Sequence, residues 1–303
     1  MRFNRRAFLQ SATSCVGAAF VDWPSFTNDV EKTFADIRLN LLQMINEERE
    51  VERVPKVLLD DFASKVATKH AVDMANREFA SHWGSDGLKP YHRYSFAGGT
   101  DGTQENVSAA DNTWSAKFED LKQDTAYLHV RLYQEKPPHD GHRLTILAPQ
   151  HTHVGFGLAL SEMRLRMVQL FVARYVAVKP VERVVPLNSK VTINARLLNP
   201  THLLNHVEVF YEPLPKAPEL SWLRQPRSYG LPTDSQILVP KLKEPLIYAD
   251  GKIGTIYMGP DGNFTVPVEL YKGQPGIYTI VSWVRRAPGE KAFQASEVCL
   301  RAE

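Results

Sequence analysis

The chain has 303 residues, of which 43% are hydrophobic and 23% charged, with a mean hydropathy of −0.30. Such a composition excludes a disordered tail, a collagen-like chain and a multi-spanning membrane protein, and roughly 150 residues per domain suggests two domains. The formal charge is +2, from 36 Lys+Arg against 34 Asp+Glu, so nothing electrostatic points to a nucleic-acid partner. Arg2, Arg5 and Arg6 all precede the first acid, Asp22; without them the balance is 33 against 34, and the positive excess belongs to the N-terminus.

Residues 1–20 read as an export signal. A basic head with Arg5-Arg6-Ala7-Phe8-Leu9 leads into a short apolar run ending Val16-Gly17-Ala18-Ala19-Phe20, which is too short to span a membrane. Paired arginines before Phe-Leu resemble the twin-arginine signal, so the expected location is the periplasm or the exterior, with no transmembrane span in the mature chain. Ala12-Thr13-Ser14 lacks the large aliphatic residue usual before a lipidated cysteine, which argues against an anchor at Cys15. Removal of the signal leaves Cys299 alone and no intramolecular disulfide to form.

Two periods then divide the chain. From about residue 29 to 178 the pattern is mixed. Ile37, Leu41, Met44 and Ile45 recur at helical spacing, as do Leu59, Phe62, Val66, His70 and Met74 after a link holding Pro55. Gly84–Gly102, with five glycines and Pro90, reads as a long mobile loop, and a further helix is predicted from about Thr113 to Tyr133. Val154–Leu160 and Arg166–Val176 read as a β-hairpin around Ser161-Glu162. Helices followed by paired strands predict an α+β layer sandwich. Over residues 181–303 the helical period is gone. Val191, Ile193, Ala195 and Leu197 alternate with polar residues, and further short strands are separated by Asp261-Gly262 and Gly273–Gly276 turns. This predicts an all-β immunoglobulin-like sandwich, interrupted by an irregular excursion with six prolines between Pro213 and Pro240.

Seven of the ten histidines fall between His82 and His153. Histidine titrates near neutrality and binds metals, so the clustering invites a site. His70 reads as a core residue on an apolar helix face; His92, His129 and His139 read as loop or surface residues. No His-Glu-x-x-His pair, no Gly-x-Ser-x-Gly turn and no phosphate-binding loop occurs in the chain.

The order of short motifs is more specific. Phe79-Ala-Ser-His82, Gln104-Glu105-Asn106-Val107, Asp140-Gly-His142-Arg143, Ile146-Leu147 and His151-Thr-His-Val-Gly-Phe-Gly157 follow one another between about Ile37 and Val176. In this arrangement the segment resembles bacterial members of the CAP superfamily, also called the SCP domain. The resemblance implies an α-β-α sandwich with a surface cleft bearing two histidines and two acids. His82 and His142 match the histidines and Glu105 the first acid, although Gln104 stands where the family has glycine. Glu135, shortly after Leu132-Tyr133, matches the second acid. The disulfides of the family's eukaryotic members are absent here.

Two imidazoles beside carboxylates suit zinc or a similar divalent ion, held weakly because a catalytic zinc usually has three protein ligands. The reading is therefore an exported CAP-domain protein whose cleft binds a small ligand, divalent metal or envelope component without catalysis. Two alternatives stand. One is a metal-dependent hydrolase of peptide or envelope polymer, with Glu105 and Glu135 as catalytic carboxylates and His82 and His142 on the metal. The other is adhesion or protein binding through the β-sandwich, using Trp222, Tyr229, Tyr248, Tyr257 and Trp283.

Overall fold

A computed structural model describes residues 28–111, 118–251 and 253–303. The export signal and Cys15 lie outside the described residues. Among those described, no helix is long and apolar enough to cross a membrane.

The first half is a three-layer sandwich. Its elements are α1 (Asn28–Val51), β1 (Leu58–Leu59), α2 (Asp61–Asn76), α3 (Pro90–Phe96), β2 (Gly102–Asp111), α4 (Phe118–Tyr133), α5 (Gly141–Leu147), β3 (His153–Ser161) and β4 (Arg164–Ala173). The strands form one sheet in the order β1-β3-β4-β2, with β1 parallel to β3 and the other pairs antiparallel. Strand period two sorts β4 onto both faces. Leu165, Met167 and Phe171 join Phe34, Ile37, Leu41 and Ile45 of α1 and Leu121, Leu128 and Leu132 of α4 in one core. Val168, Leu170 and Val172 join Ala63, Val66, Ala67 and Ala71 of α2 in the other. A Cβ on Gly157 would run into the Ala67 backbone, so glycine there lets α2 lie directly on β3. Asp60 caps α2 by accepting from the Ala63 N–H at 2.6 Å, and this places the helix start two residues after the predicted Leu59, which pairs in β1 instead.

Three expectations are corrected. The stretch from Gly84 to Gly102 is not one loop: Pro90 sits at the start of α3, where its missing N–H costs nothing, and Gly102 begins β2. Nor does the second end of that stretch behave as the long loop expected there. Asp101 pairs with Ser296, the Glu297 N–H donates to the Thr100 carbonyl at 3.0 Å, and a Cβ on Gly102 would strike the Gln294 carbonyl. The third concerns two histidines assigned to the surface. His92 and His129 are 1% and 0% exposed, each paired with a carboxylate: Glu212 at 3.0 Å and Glu48 at 2.9 Å. The helix predicted from Thr113 is observed from Phe118, residues 112–117 lying outside the described set.

The second half contains β5 (Val176–Val178), β6 (Val184–Val185), β7 (Val191–Leu197), β8 (Leu203–Glu212), α6 (Leu220–Leu223), β9 (Ser235–Leu238), β10 (Tyr257–Met258), β11 (Asn263–Val268), β12 (Gly276–Arg285) and β13 (Phe293–Ala302). They form two sheets, β10-β11-β7-β5 and β6-β13-β12-β8-β9, which share one core. Ile193, Leu197, Phe264 and Val266 come from the first sheet, and Val207, Val209, Ile280 and Val298 from the second. Strand β5 pairs with β7, so residues 176–178 are built into the second half rather than the first. Cys299 is a free, buried thiol on β13 whose backbone N–H donates to Ser95 Oγ at 2.7 Å. That bond, with Glu212 receiving Lys89, Tyr91 and His92 of the α3 region, fastens the halves together.

Candidate functional site

The site is built on β2. Successive strand residues point to opposite faces, so Glu105 and Asn106 serve different partners. Glu105 accepts from His82 Nδ1 at 3.0 Å through one oxygen and from Arg93 Nη2 at 2.7 Å through the other. Asn106 donates from Nδ2 to the His142 carbonyl at 3.1 Å and to Gln169 Oε1 at 3.3 Å. Gln169 Nε2 donates on to His129 Nδ1 at 3.0 Å, and His129 Nε2 donates to Glu48. One strand thus fixes the side chain of the first histidine and the backbone of the second.

His82 is held from three more directions. Arg93 Nη1 donates to the His82 carbonyl at 2.8 Å and the Leu88 carbonyl at 2.7 Å. His70 bonds the Ser81 carbonyl at 2.8 Å through Nε2. The Tyr229 ring lies 4.6 Å from the His82 ring, and its hydroxyl accepts the Glu105 backbone N–H at 2.8 Å. His142 is the second residue of α5. Glu135, two residues beyond α4, accepts both its Nδ1–H at 2.6 Å and its backbone N–H at 3.0 Å.

The rings of His82 and His142 stand 6.4 Å apart, centroid to centroid, at 31° to each other. Both histidines and Glu135 line a cavity of about 540 Å³, together with Ser108, Arg131 and Arg227. Glu105 does not line it; at 4% exposure it lies behind His82. Burial raises the Glu105 carboxyl, but the Arg93 guanidinium, His70 and His82 more than reverse this and bring it to about 2. A carboxylate so acidic, with both oxygens engaged, is a weak general base. Its effect is on the histidine: it takes the Nδ1–H and leaves Nε2 as the ring's lone-pair edge.

The four residues read from the motifs are therefore brought together, as two His–Glu pairs. Arg93, Asn106, Tyr229, Arg131 and Arg227 were not assigned to the site from sequence. Pro90 after Lys89 was an available signal for the helix carrying Arg93. No local signal ties the 213–240 excursion to a cleft 120 positions earlier. Two of the sandwich aromatics proposed for adhesion face the first half: Tyr229 covers His82, and Trp222 packs edge-on against Trp83 at 5.2 Å.

As a metal centre the site supplies two ligands. Zn–N bonds of about 2.0–2.1 Å keep two bridged ring centroids within about 6.5 Å, so 6.4 Å is at the outer limit. Among the described residues no group of three or more His, Cys, Asp and Glu side chains could hold a metal ion. A metal here would draw its remaining ligands from water or a bound molecule.

Residues 42–175 match the family model for the Cysteine-rich secretory protein family, CAP. Similar solved structures include an extracellular protein containing a SCP domain from Bacillus anthracis, at 18% identity and a TM-score of 0.37, covering 50% of this chain and 45% of that one. Others are an outer surface protein from Borrelia burgdorferi, at 17% identity and 0.36, covering 49% and 96%, and the CAP domain of enterococcal PrgA, at 12% and 0.31, covering 46% and 60%. The similarity thus spans less than half of the Bacillus chain. No match is found among curated proteins. The chain carries, over residues 42–175, a CAP domain of the Cysteine-rich secretory protein family.

Proposed function

We propose that this is an exported protein whose CAP-domain cleft binds a small ligand of the cell envelope, or a divalent metal such as zinc, without turning it over. The twin-arginine-like residues Arg5 and Arg6 support export. The observation that carries the binding reading is the pairing of both Nδ1 atoms with carboxylates, at 3.0 and 2.6 Å. With Nδ1 engaged, each ring turns its Nε2 edge to the cleft, the arrangement found behind metal-ligating and hydrogen-bonding histidines. The engaged, acidic state of Glu105 disfavours the hydrolase alternative, which needs it as base. The second half, read as immunoglobulin-like, serves the cleft by supplying Tyr229 rather than gripping a separate partner.

Zinc titration of the full chain, followed by calorimetry and by the His82 and His142 ring signals in NMR, tests this. Saturable binding is expected in the parent. It should be lost in His82→Gln/His142→Gln, and reduced at least tenfold in His142→Gln alone, whose ring is a third exposed and whose loss spares the buried pair. Equal affinity in parent and variants removes the histidines from binding. Release of product from an envelope polymer, abolished by Glu105→Gln, would replace the binding reading with the enzymatic one.

A further inference from the structure

The cleft has two chemically distinct walls. One is the CAP domain's own His82, His142 and Glu135, with Arg131 from the outer face of α4. The other comes from outside that domain: Pro226, Arg227 and Ser228 of the proline-rich excursion. Of the ionised side chains lining the cavity, two are guanidiniums and one, Glu135, is a carboxylate already occupied on both oxygens by His142.

Neither guanidinium meets a carboxylate among the described residues. Arg131 lies 5.9 Å from the Tyr127 ring centroid, one turn back on the same helix. Arg227 lies 4.4 Å over the Trp222 ring and spends one N–H on Gln225 Oε1 at 2.6 Å. Trp222 in turn packs against Trp83, the residue after His82. Arg227 is thus set relative to His82 by two tryptophans packed edge to face, although 145 positions separate Arg227 from His82. A guanidinium held on an aromatic face keeps its planar fork of donors for a second group, and the ordering is already done before a ligand arrives.

We infer that the cleft selects an anionic ligand, one bearing a carboxylate or phosphate group, which Arg131 and Arg227 receive from opposite walls while the imidazole edges take the ligand's hydrogen-bond donors. This rests on the binding reading above and adds the ligand's charge class to it. A cavity of about 540 Å³ exceeds what a lone anion fills, so the charged group is a handle on a larger body. Forked, charge-assisted bonds to such a group are the strongest the cleft can make.

The test uses the full chain at about 50 mM salt, where exposed charges are less screened. Glutarate, its uncharged counterpart glutaramide and pyrophosphate are titrated while the His82 and His142 ring signals are followed. Glutarate or pyrophosphate should move both signals saturably, and glutaramide should bind at least tenfold more weakly. Tighter glutarate identifies a carboxylate handle, tighter pyrophosphate a phosphate one. Arg131→Gln/Arg227→Gln should weaken the anion at least tenfold, and Arg131→Lys/Arg227→Lys should recover part of that loss; both sites are exposed, so the fold is not at stake. Equal binding of glutarate and glutaramide, or anion affinity unchanged in the glutamine variant, overturns the inference while histidine-dependent zinc binding leaves the underlying reading standing. Absence of both anion and zinc binding overturns the two together.

Discussion

Arg93→Met should destabilise the protein by about 3–5 kcal/mol, the cost of leaving a buried charge without its partner. Arg93 is the only cation contacting Glu105, which is 4% exposed, among the described residues, and its other N–H groups hold the His82 and Leu88 carbonyls. Without it the burial that raises the Glu105 carboxyl is opposed only by the two imidazoles, His70 and His82. The effect has a pH signature. A carboxyl held at about 2 when folded and at its ordinary value of 4.5 when unfolded contributes stability that is present above pH 4.5 and lost as pH falls toward 2. Urea unfolding at pH 7 and pH 3 should therefore show a large gap between parent and Arg93→Met at pH 7 and a smaller one at pH 3. Arg93→Met/Glu105→Gln should recover a good part of the loss, because the double variant buries no unpaired charge. A single variant within about 1 kcal/mol of the parent at pH 7, or a double variant no better than the single, would show that the pair is not the anchor of the site.

The layers were legible in the sequence because period carries them. The α1 stripe of Ile37, Leu41 and Ile45 and the alternation in Val191–Leu197 each appear where the pattern places them. Strand β2 was not legible, although it carries the site. Its residues Gln104, Glu105 and Asn106 are polar on both faces, since one face meets His82 and Arg93 and the other meets His142 and Gln169. A strand spent on positioning polar groups has no apolar alternation to display. The same cause hid the burial of His92 and His129. Each is matched to a carboxylate from a distant element, Glu212 on β8 and Glu48 on α1, and periodicity says nothing about such partners.

The pairing of His82 with Glu105 and of His142 with Glu135 was readable only through the motif order, and the wall opposite them was not readable at all. Tyr229, Arg227 and Trp222 lie in a stretch whose six prolines suppress any regular period. What organises that stretch is contact with the first half: Trp222 on Trp83, Tyr229 on His82, and Arg224 Nε donating to the Glu78 carbonyl at 2.9 Å. Because the excursion lies on the cleft, the two halves line one cavity, and tests on either half alone would lose part of it.

The seam between the halves should make the protein weaken as the solution turns alkaline, and Glu297→Gln should remove that weakness. Glu297, on β13, is 1% exposed, and burial raises its carboxyl to about 8; only the Thr103 N–H and hydroxyl, at 3.0 and 2.7 Å, act in the other direction. The folded state thus holds a proton that the unfolded state releases near 4.5, and stability falls as pH rises from 4.5 to 8, by about 5 kcal/mol over the whole titration. Part of that slope is masked at acid pH. Buried His70 and His151 are lowered to about 4 and about 3, chiefly by burial, so their contribution rises with pH until the unfolded imidazole value of 6.5 is passed. Above 6.5 those two are complete and Glu297 acts unopposed by them, which leaves about 2 kcal/mol to be lost between pH 6.5 and 9. Urea unfolding across that window should show this decline in the parent. In Glu297→Gln, whose amide oxygen still accepts from Thr103, the profile should be flat and cross above the parent near pH 8. A parent with no decline between pH 6.5 and 9 would mean that Glu297 is ionised in the folded protein already. A variant that declines in parallel with the parent would place the alkaline weakness elsewhere than in the contact between β13 and β2.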